Sequence, residues 1–220
     1  MDSICQSCVC SDTYTRTISE ELFVQFCAAN TIPWELVPTG TERTPDFRIR
    51  LGNTQVICEV KQIDPNAEDV AELEELGSSE AVGRLVPNRM RDKLKDSAQL
   101  KAASHDGRPT LLVVYDNTPI KMYTFHSDVA QAMFGRDSVR VSVSGDETVV
   151  SEPFFGGNRG LTPSQNTSVS ALAILDGGPN ASLSLRVYHN PYARVLLRAE
   201  LFAGLPVTQF LLPGETAITL

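Results

Sequence analysis

Apolar residues recur along this chain with two different periods. Leu22, Phe23, Phe26 and Cys27 fall on one face of a 3.6-residue helix, which predicts a helix from Glu20 to about Asn30. Thr17-Ile18-Ser19-Glu20 has the form of a capping box, with Thr17 as N-cap and Glu20 at N3. Pro33 is expected to close the segment. The period then changes to two. Trp34 to Val37 is a short candidate strand. Phe47, Ile49 and Leu51 alternate between Pro45 and Leu51, and Val56, Cys58 and Val60 alternate between Thr54 and Ile63. Gly52-Asn53 lies between these two runs, so they are predicted to form a β-hairpin.

Beyond the hairpin the pattern is set first by charge. From Asp64 to Gly83 the chain carries Asp64, Glu68, Asp69, Glu72, Glu74, Glu75 and Glu80 with no Lys or Arg, and is read as helical or mobile. The sign then reverses, with Arg84, Arg89, Arg91, Lys93, Lys95, Lys101 and Arg108 outnumbering Asp92, Asp96 and Asp106. Met90, Leu94 and Ala98 are spaced i, i+4, i+8, which predicts one helix from Pro87 to about Ser104. Thr110 to Tyr115 is a continuous apolar run, as expected of a strand buried on both faces. Ser127 to Phe134 reads as a short helix and Gly156 to Ser168 as a loop. Strands are expected at Val139 to Val143, Thr148 to Val150, Val169 to Leu175, Leu183 to Tyr188 and Ala193 to Leu197. The order of helix, hairpin, helix, buried strand and further short strands gives an α/β or α+β class with a mixed sheet.

A chain of 220 residues is expected to form one domain, or one domain with an appendage. No apolar run is long enough for a transmembrane helix, and the first residues lack a secretory signal, so a cytoplasmic protein with no membrane partner is expected. Its cysteines are then reduced thiols. Cys5, Cys8 and Cys10 have a spacing that could hold a soft metal, but no second pair follows, and a frayed, oxidation-prone tail over 1–16 is the preferred reading. His105, His126 and His189 match no ligand spacing, and Trp34 and Tyr115 are expected in the core. The net charge of −8 argues against a phosphate backbone as partner.

Against that stands one constellation. Asp46 opens the first hairpin strand, and Glu59 and Lys61 lie on the second. Residues two apart on a strand share a face, so Glu59 and Lys61 point the same way while Cys58 and Val60 point the other. Two carboxylates and a lysine therefore converge at one edge of a small sheet. Two hard oxygen donors suit Mg²⁺, which polarises a phosphoryl oxygen and acidifies a bound water. A lysine beside them can orient that water or neutralise the charge that builds up.

Pro45-Asp46, a spacer and Glu59-Val60-Lys61 resemble the signature of the PD-(D/E)XK nuclease superfamily. The likeness spans about Ser19 to Asp116. It implies a restriction-endonuclease-like mixed central sheet flanked by helices, with a nuclease-like core over 17–126. A β-rich extension over 127–220 would pack on that core, within the same domain. It also implies a Mg²⁺-dependent endo- or exonuclease, with Mn²⁺ as an alternative metal, acting on DNA in preference to RNA. By the same resemblance Asp46 and Glu59 bind the metal, Lys61 supports the attacking water, and a carboxylate of the preceding helix joins them. Glu20 flanks the apolar face of that helix and Glu21 lies nearly opposite, so Glu20 is preferred. Members also bring a polar residue from the helix after the motif. Arg91, Lys95 and Gln99 fall at i, i+4, i+8, so Gln99 and Lys95 are candidates to face the site. Arg91, Lys93, Lys95 and Arg89 are candidates for the phosphates.

Each assignment has a plainer alternative. Glu20 completes a capping box without any catalysis, Glu-Val-Lys on a strand is ordinarily an exposed ion pair of small value, and Arg91 or Gln99 could lie on a solvated helix face. The fold also hosts inactive binding modules, and the acidic stretch 64–80 is a candidate surface for a regulatory or partner protein. The lightly charged β-strands of the second half are a candidate homodimer interface. The net charge of −8 averages an acidic run, three proposed metal ligands and a basic helix. Nucleic-acid binding is therefore expected to be modest, localised and dependent on divalent metal.

Overall fold

The computed structural model describes residues 16–38, 43–76, 89–119, 121–144 and 147–211. Cys5, Cys8, Cys10, Glu80 and Pro87 lie outside them, and for Glu72, Glu74 and Glu75 only the backbone is described. Helix α1 (Ile18–Ala29) begins at the expected capping box: Glu20 N donates to Thr17 Oγ1 at 3.3 Å, and Thr17 N donates to Glu20 Oε2 at 2.6 Å. Two donors that a helix start leaves without partners are thereby satisfied. Strands β1 (Trp34–Leu36), β2 (Phe47–Leu51) and β3 (Thr54–Ile63) form an antiparallel meander. The β2–β3 turn uses Gly52 at φ 56°, a conformation that glycine adopts without a Cβ clash.

Helices α2 (Ala67–Leu76), α3 (Arg89–Lys95) and α4 (Leu100–His105) follow. They lead into β4 (Thr110–Asp116), which lies parallel to β3. Helix α5 (His126–Phe134) precedes two small ribbons outside the main sheet: β5 (Asp137–Ser138) pairs with β8 (Phe154–Phe155), and β6 (Val141–Ser144) with β7 (Glu147–Val150). The chain then rejoins the sheet with β9 (Ala171–Asp176), β10 (Ser184–His189) and β11 (Val207–Phe210). The result is a mixed α/β architecture on a seven-stranded sheet of order β1-β2-β3-β4-β9-β10-β11. The pairs β3/β4, β4/β9 and β10/β11 are parallel and the rest antiparallel.

The sheet is covered on both faces. On one, Leu22, Phe23 and Phe26 of α1 pack with Phe47, Val56, Cys58, Leu111 and Val113. On the other, Met90 and Leu94 of α3, Leu100 of α4 and Met133 of α5 pack with Ile57, Ile63, Leu112 and Val114. Strand β4 feeds both cores alternately and is buried along its whole length, as its unbroken apolar run requires. No helix of the described residues is long and apolar enough to cross a membrane.

Two sequence expectations fail here. In place of the single helix expected from Pro87 to about Ser104, the described residues from Arg89 onward form two, α3 and α4. Ser97 is buried, and its Oγ donates to Leu94 O at 2.7 Å, a local bond that competes with helix continuation. After the break Leu100 takes the core position expected of Ala98, which is exposed. Ala193 to Leu197 is not a strand. Asn190 Oδ1 accepts from Tyr192 N at 2.9 Å and Arg194 N donates to Thr167 O at 2.8 Å, so these residues are held in a turn. The seventh strand comes later, at Val207–Phe210, parallel to β10.

Thr17→Ala is expected to cost about 0.5–2 kcal/mol by removing the cap of α1, whereas Thr17→Ser should retain most of it. Urea unfolding of the two variants beside the parent checks this.

Candidate active site

The hairpin register positions the site. Phe47 pairs with Cys58, so Asp46, one residue ahead of β2, stands opposite Glu59. The backbone of Asp46 is held on both sides: Val37 N donates to Asp46 O at 3.0 Å, and Asp46 N donates to Cys58 O at 3.1 Å. Its carboxylate curls over the strand end, where Oδ2 accepts from Val60 N at 2.7 Å. Alternation along β3 does the rest. Val56, Cys58 and Val60 enter the α1 core and Ile57 and Ile63 the opposite one, so Glu59 and Lys61 project toward the face that carries α3 and α4. Lys61 Nζ lies 2.7 Å from Glu59 Oε1. Glu59 is 2% exposed, and its Oε2 is buried with no hydrogen-bond partner among the described residues.

This environment disfavours negative charge. Burial raises the Asp46 carboxyl to about 6 against the opposing bond from Val60 N, and the charges of Glu20 (upward) and Lys61 (downward) act on it as well. Burial and then the Asp46 charge push Glu59 up to about 7, although Lys61 pulls it down. Two carboxylates facing each other across a strand pair at low solvent exposure are a place where a cation would lower the energy.

Glu20 is buried at the start of α1, on the other side of the sheet from Glu59 and Lys61. Its Oε2 serves the capping box, and Ser19 N donates to Gln62 Oε1 at 3.0 Å, which ties this helix start to β3. Its charge reaches Asp46 but does not figure among the influences on Glu59. Among the described residues, no group of three or more His, Cys, Asp or Glu side chains is assembled that could hold a metal ion. The site is thus a facing carboxylate pair with a lysine, and the charge of Glu20 acts on Asp46.

Helix α3 is rotated relative to the expectation. Lys93 of α3 and Asp96, the residue just past its end, are directed at the site. Asp96 Oδ2 stands 3.8 Å from Lys61 Nζ, and its charge adds to the raising of Glu59. Burial lowers the pKa of Lys93, followed by the charges of Arg89 and Lys61. Lys95 instead points to solvent, 4.0 Å from Asp92. Arg89 is committed to structure: it pairs with Asp69 at 3.0 Å, donates to Asp64 O at 2.6 Å and covers the Tyr123 ring. Arg91 is half-buried. Gln99 lies past the helix break, where its Oε1 is buried with no hydrogen-bond partner among the described residues, so Arg91, Lys95 and Gln99 do not share one helix face. The residue that sequence reasoning missed is Asp96. Its signal was the Asp-Ser pair in mid-helix, where Ser97 ends the turn.

A carboxyl whose pKa is higher folded than unfolded binds more protons when folded, so ionising it costs stability as pH rises from about 4 toward the folded value. Asp46→Asn keeps an acceptor for Val60 N and removes the charge. In chelator at pH 8 it is expected to raise stability by about 1–3 kcal/mol, and the gain should vanish near pH 4. Thermal unfolding at the two pH values checks this, and an unchanged melting temperature at pH 8 would contradict it.

No protein-family model matches the chain, and no curated protein or solved structure matches it either.

Proposed function

We propose that this chain is a metal-dependent nuclease with a restriction-endonuclease-like core, hydrolysing phosphodiester bonds in DNA. One observation carries the reading: Asp46 and Glu59 face each other across β2 and β3, and Lys61, two residues on, is ion-paired to Glu59. The order of α1, the β2–β3 hairpin, the α3 helix and the parallel strand β4 supports it.

Asp46 and Glu59 are the residues that would hold Mg²⁺ or Mn²⁺. The partnerless Glu59 Oε2 and the raised pKa of both carboxyls fit a hard cation that completes its shell with water. When bound, such an ion supplies Lewis-acid neutralisation of phosphoryl charge. Lys61, held by Glu59, orients the attacking water and places positive charge beside the scissile phosphate. Lys93 is the next cation of α3 in line for a flanking phosphate. Arg89 is already engaged with Asp69, so its contribution is to position α3 rather than to meet substrate.

A second reading, an inactive nuclease-fold module that binds nucleic acid or protein, is favoured by Asp96, which shares Lys61 with Glu59, and by the separation of Glu20 from Glu59.

Cleavage of linear, nicked and single-stranded DNA in Mg²⁺ or Mn²⁺ tests the catalytic reading. Lys61→Ala and Asp46→Ala are expected to lower the rate by about 10²-fold or more. Equal rates in all three proteins, or none in any, would overturn it. A metal titration separates the two readings: Mg²⁺ or Mn²⁺ should raise the melting temperature of the parent, and Asp46→Ala should abolish the rise.

A further inference from the structure

A second polar site lies away from the carboxylates. Between α4 and the loop before β9 is a cavity of about 400 Å³, lined by Lys101 and His105 of α4, by residues 164–168 and by Arg194. None of the described lining residues is acidic or apolar. In a chain of net charge −8, a concave surface whose described lining has three basic side chains and no carboxylate is a local reversal of sign.

The cationic side chains there are uncommitted. Among the described residues no hydrogen bond or ion pair engages the Lys101, His105 or Arg194 side chains, whereas Arg48, Arg89, Arg108 and Arg186 are each paired with a carboxylate. The wall of the cavity is held without them. Asn166 is at φ 54°, its Nδ2 donates to Gly160 O at 2.7 Å, and Asn190 Nδ2 donates to Asn166 O at 3.3 Å and to Val169 O at 2.8 Å. The Arg194 backbone N–H is bonded to Thr167 O, so its guanidinium starts from a fixed point on the rim. Ser168 O accepts from Thr110 Oγ1 at 2.5 Å, which anchors the loop to the first residue of β4.

We propose that this cavity binds a phosphoryl group, held by Arg194 and Lys101 with His105 and the hydroxyl and amide groups of residues 164–167. A guanidinium fork and an ammonium are the donors that match phosphoryl oxygens. The volume exceeds what bare phosphate needs and falls in the range of nucleotide-sized ligands. The phosphoryl group belongs to a free nucleotide or to a nucleic-acid strand. The strand is geometrically accessible: α4 and Lys61 share a sheet face, and Thr110 lies four residues from Val114, the register partner of Lys61, which is roughly 13 Å along the strand. The proposal stands without the nuclease reading, because it uses none of the carboxylate residues.

The test is binding to the full chain at fixed ionic strength in excess chelator, with inorganic phosphate, a 5′-mononucleotide and a short labelled single-stranded oligodeoxynucleotide as probes. Chelator removes divalent metal, so a failure of the nuclease proposal leaves this measurement intact. Arg194→Glu and Lys101→Glu are expected to weaken binding of the best probe about tenfold or more, and Arg194→Gln by a smaller factor, with unchanged circular dichroism. Equal loss for mononucleotide and oligonucleotide identifies a nucleotide site, and loss confined to the oligonucleotide identifies a strand contact. If no probe binds the parent, or if the folded Glu variants bind every probe as tightly as the parent, the proposal is overturned.

Discussion

The pairing of Phe47 with Cys58 is the constraint on which the site depends. It brings Asp46 opposite Glu59, and the two-residue period of β3 then puts Glu59 and Lys61 on one face and Val56, Cys58 and Val60 on the other. A slip of one residue would exchange those faces, driving a carboxylate and an ammonium into the α1 core and the valines toward α3. Burial of Phe47 and Cys58, both fully inaccessible, makes that slip costly. The register that stabilises the hairpin is therefore the one that creates the site.

That site stores electrostatic tension. Glu59 is almost wholly buried, faces a second acid and has one oxygen without a partner, and Lys61 offsets only part of the cost. Groups of this kind are expensive in a fold whose net stability is small, and they concentrate where chemistry is done. Asp96, just past the end of α3, adds a further negative charge against Lys61. The lysine is thus shared between a buried partner at 2.7 Å and a half-exposed one at 3.8 Å, and its availability to a substrate depends on how α3 is set. Arg89, tied to Asp69 and Asp64, fixes that setting.

Positive charge is arranged unevenly over the molecule. Around the carboxylate pair most cations are already spent on ion pairs. Around the cavity beside α4 they are not. The acidic total of the chain is thus a poor guide to where an anion would be received, because screening in water makes local charges count far more than distant ones.

The sequence alone determined what local physics controls. The capping box, the alternation of β2 and β3, the Gly52 turn and the unbroken apolar run of β4 each act over a few residues, and each is found where its pattern falls. Tertiary structure decided what depends on contacts far apart in the chain. Whether the helix after Arg89 runs on or breaks depends on which of Ala98 and Leu100 reaches a core built from Ile57 and Leu112. That break turns Lys93 and Asp96, rather than Lys95 and Gln99, toward Lys61. Glu20 is close to the motif in sequence logic, yet α1 packs on the opposite face of the sheet, so its charge meets Asp46 and not Glu59. The final strand, Val207–Phe210, gained its place from pairing with β10 rather than from any strong period of its own. Side-chain periodicity specifies which face of an element is buried. Only the packing of those faces against one another specifies which polar groups meet.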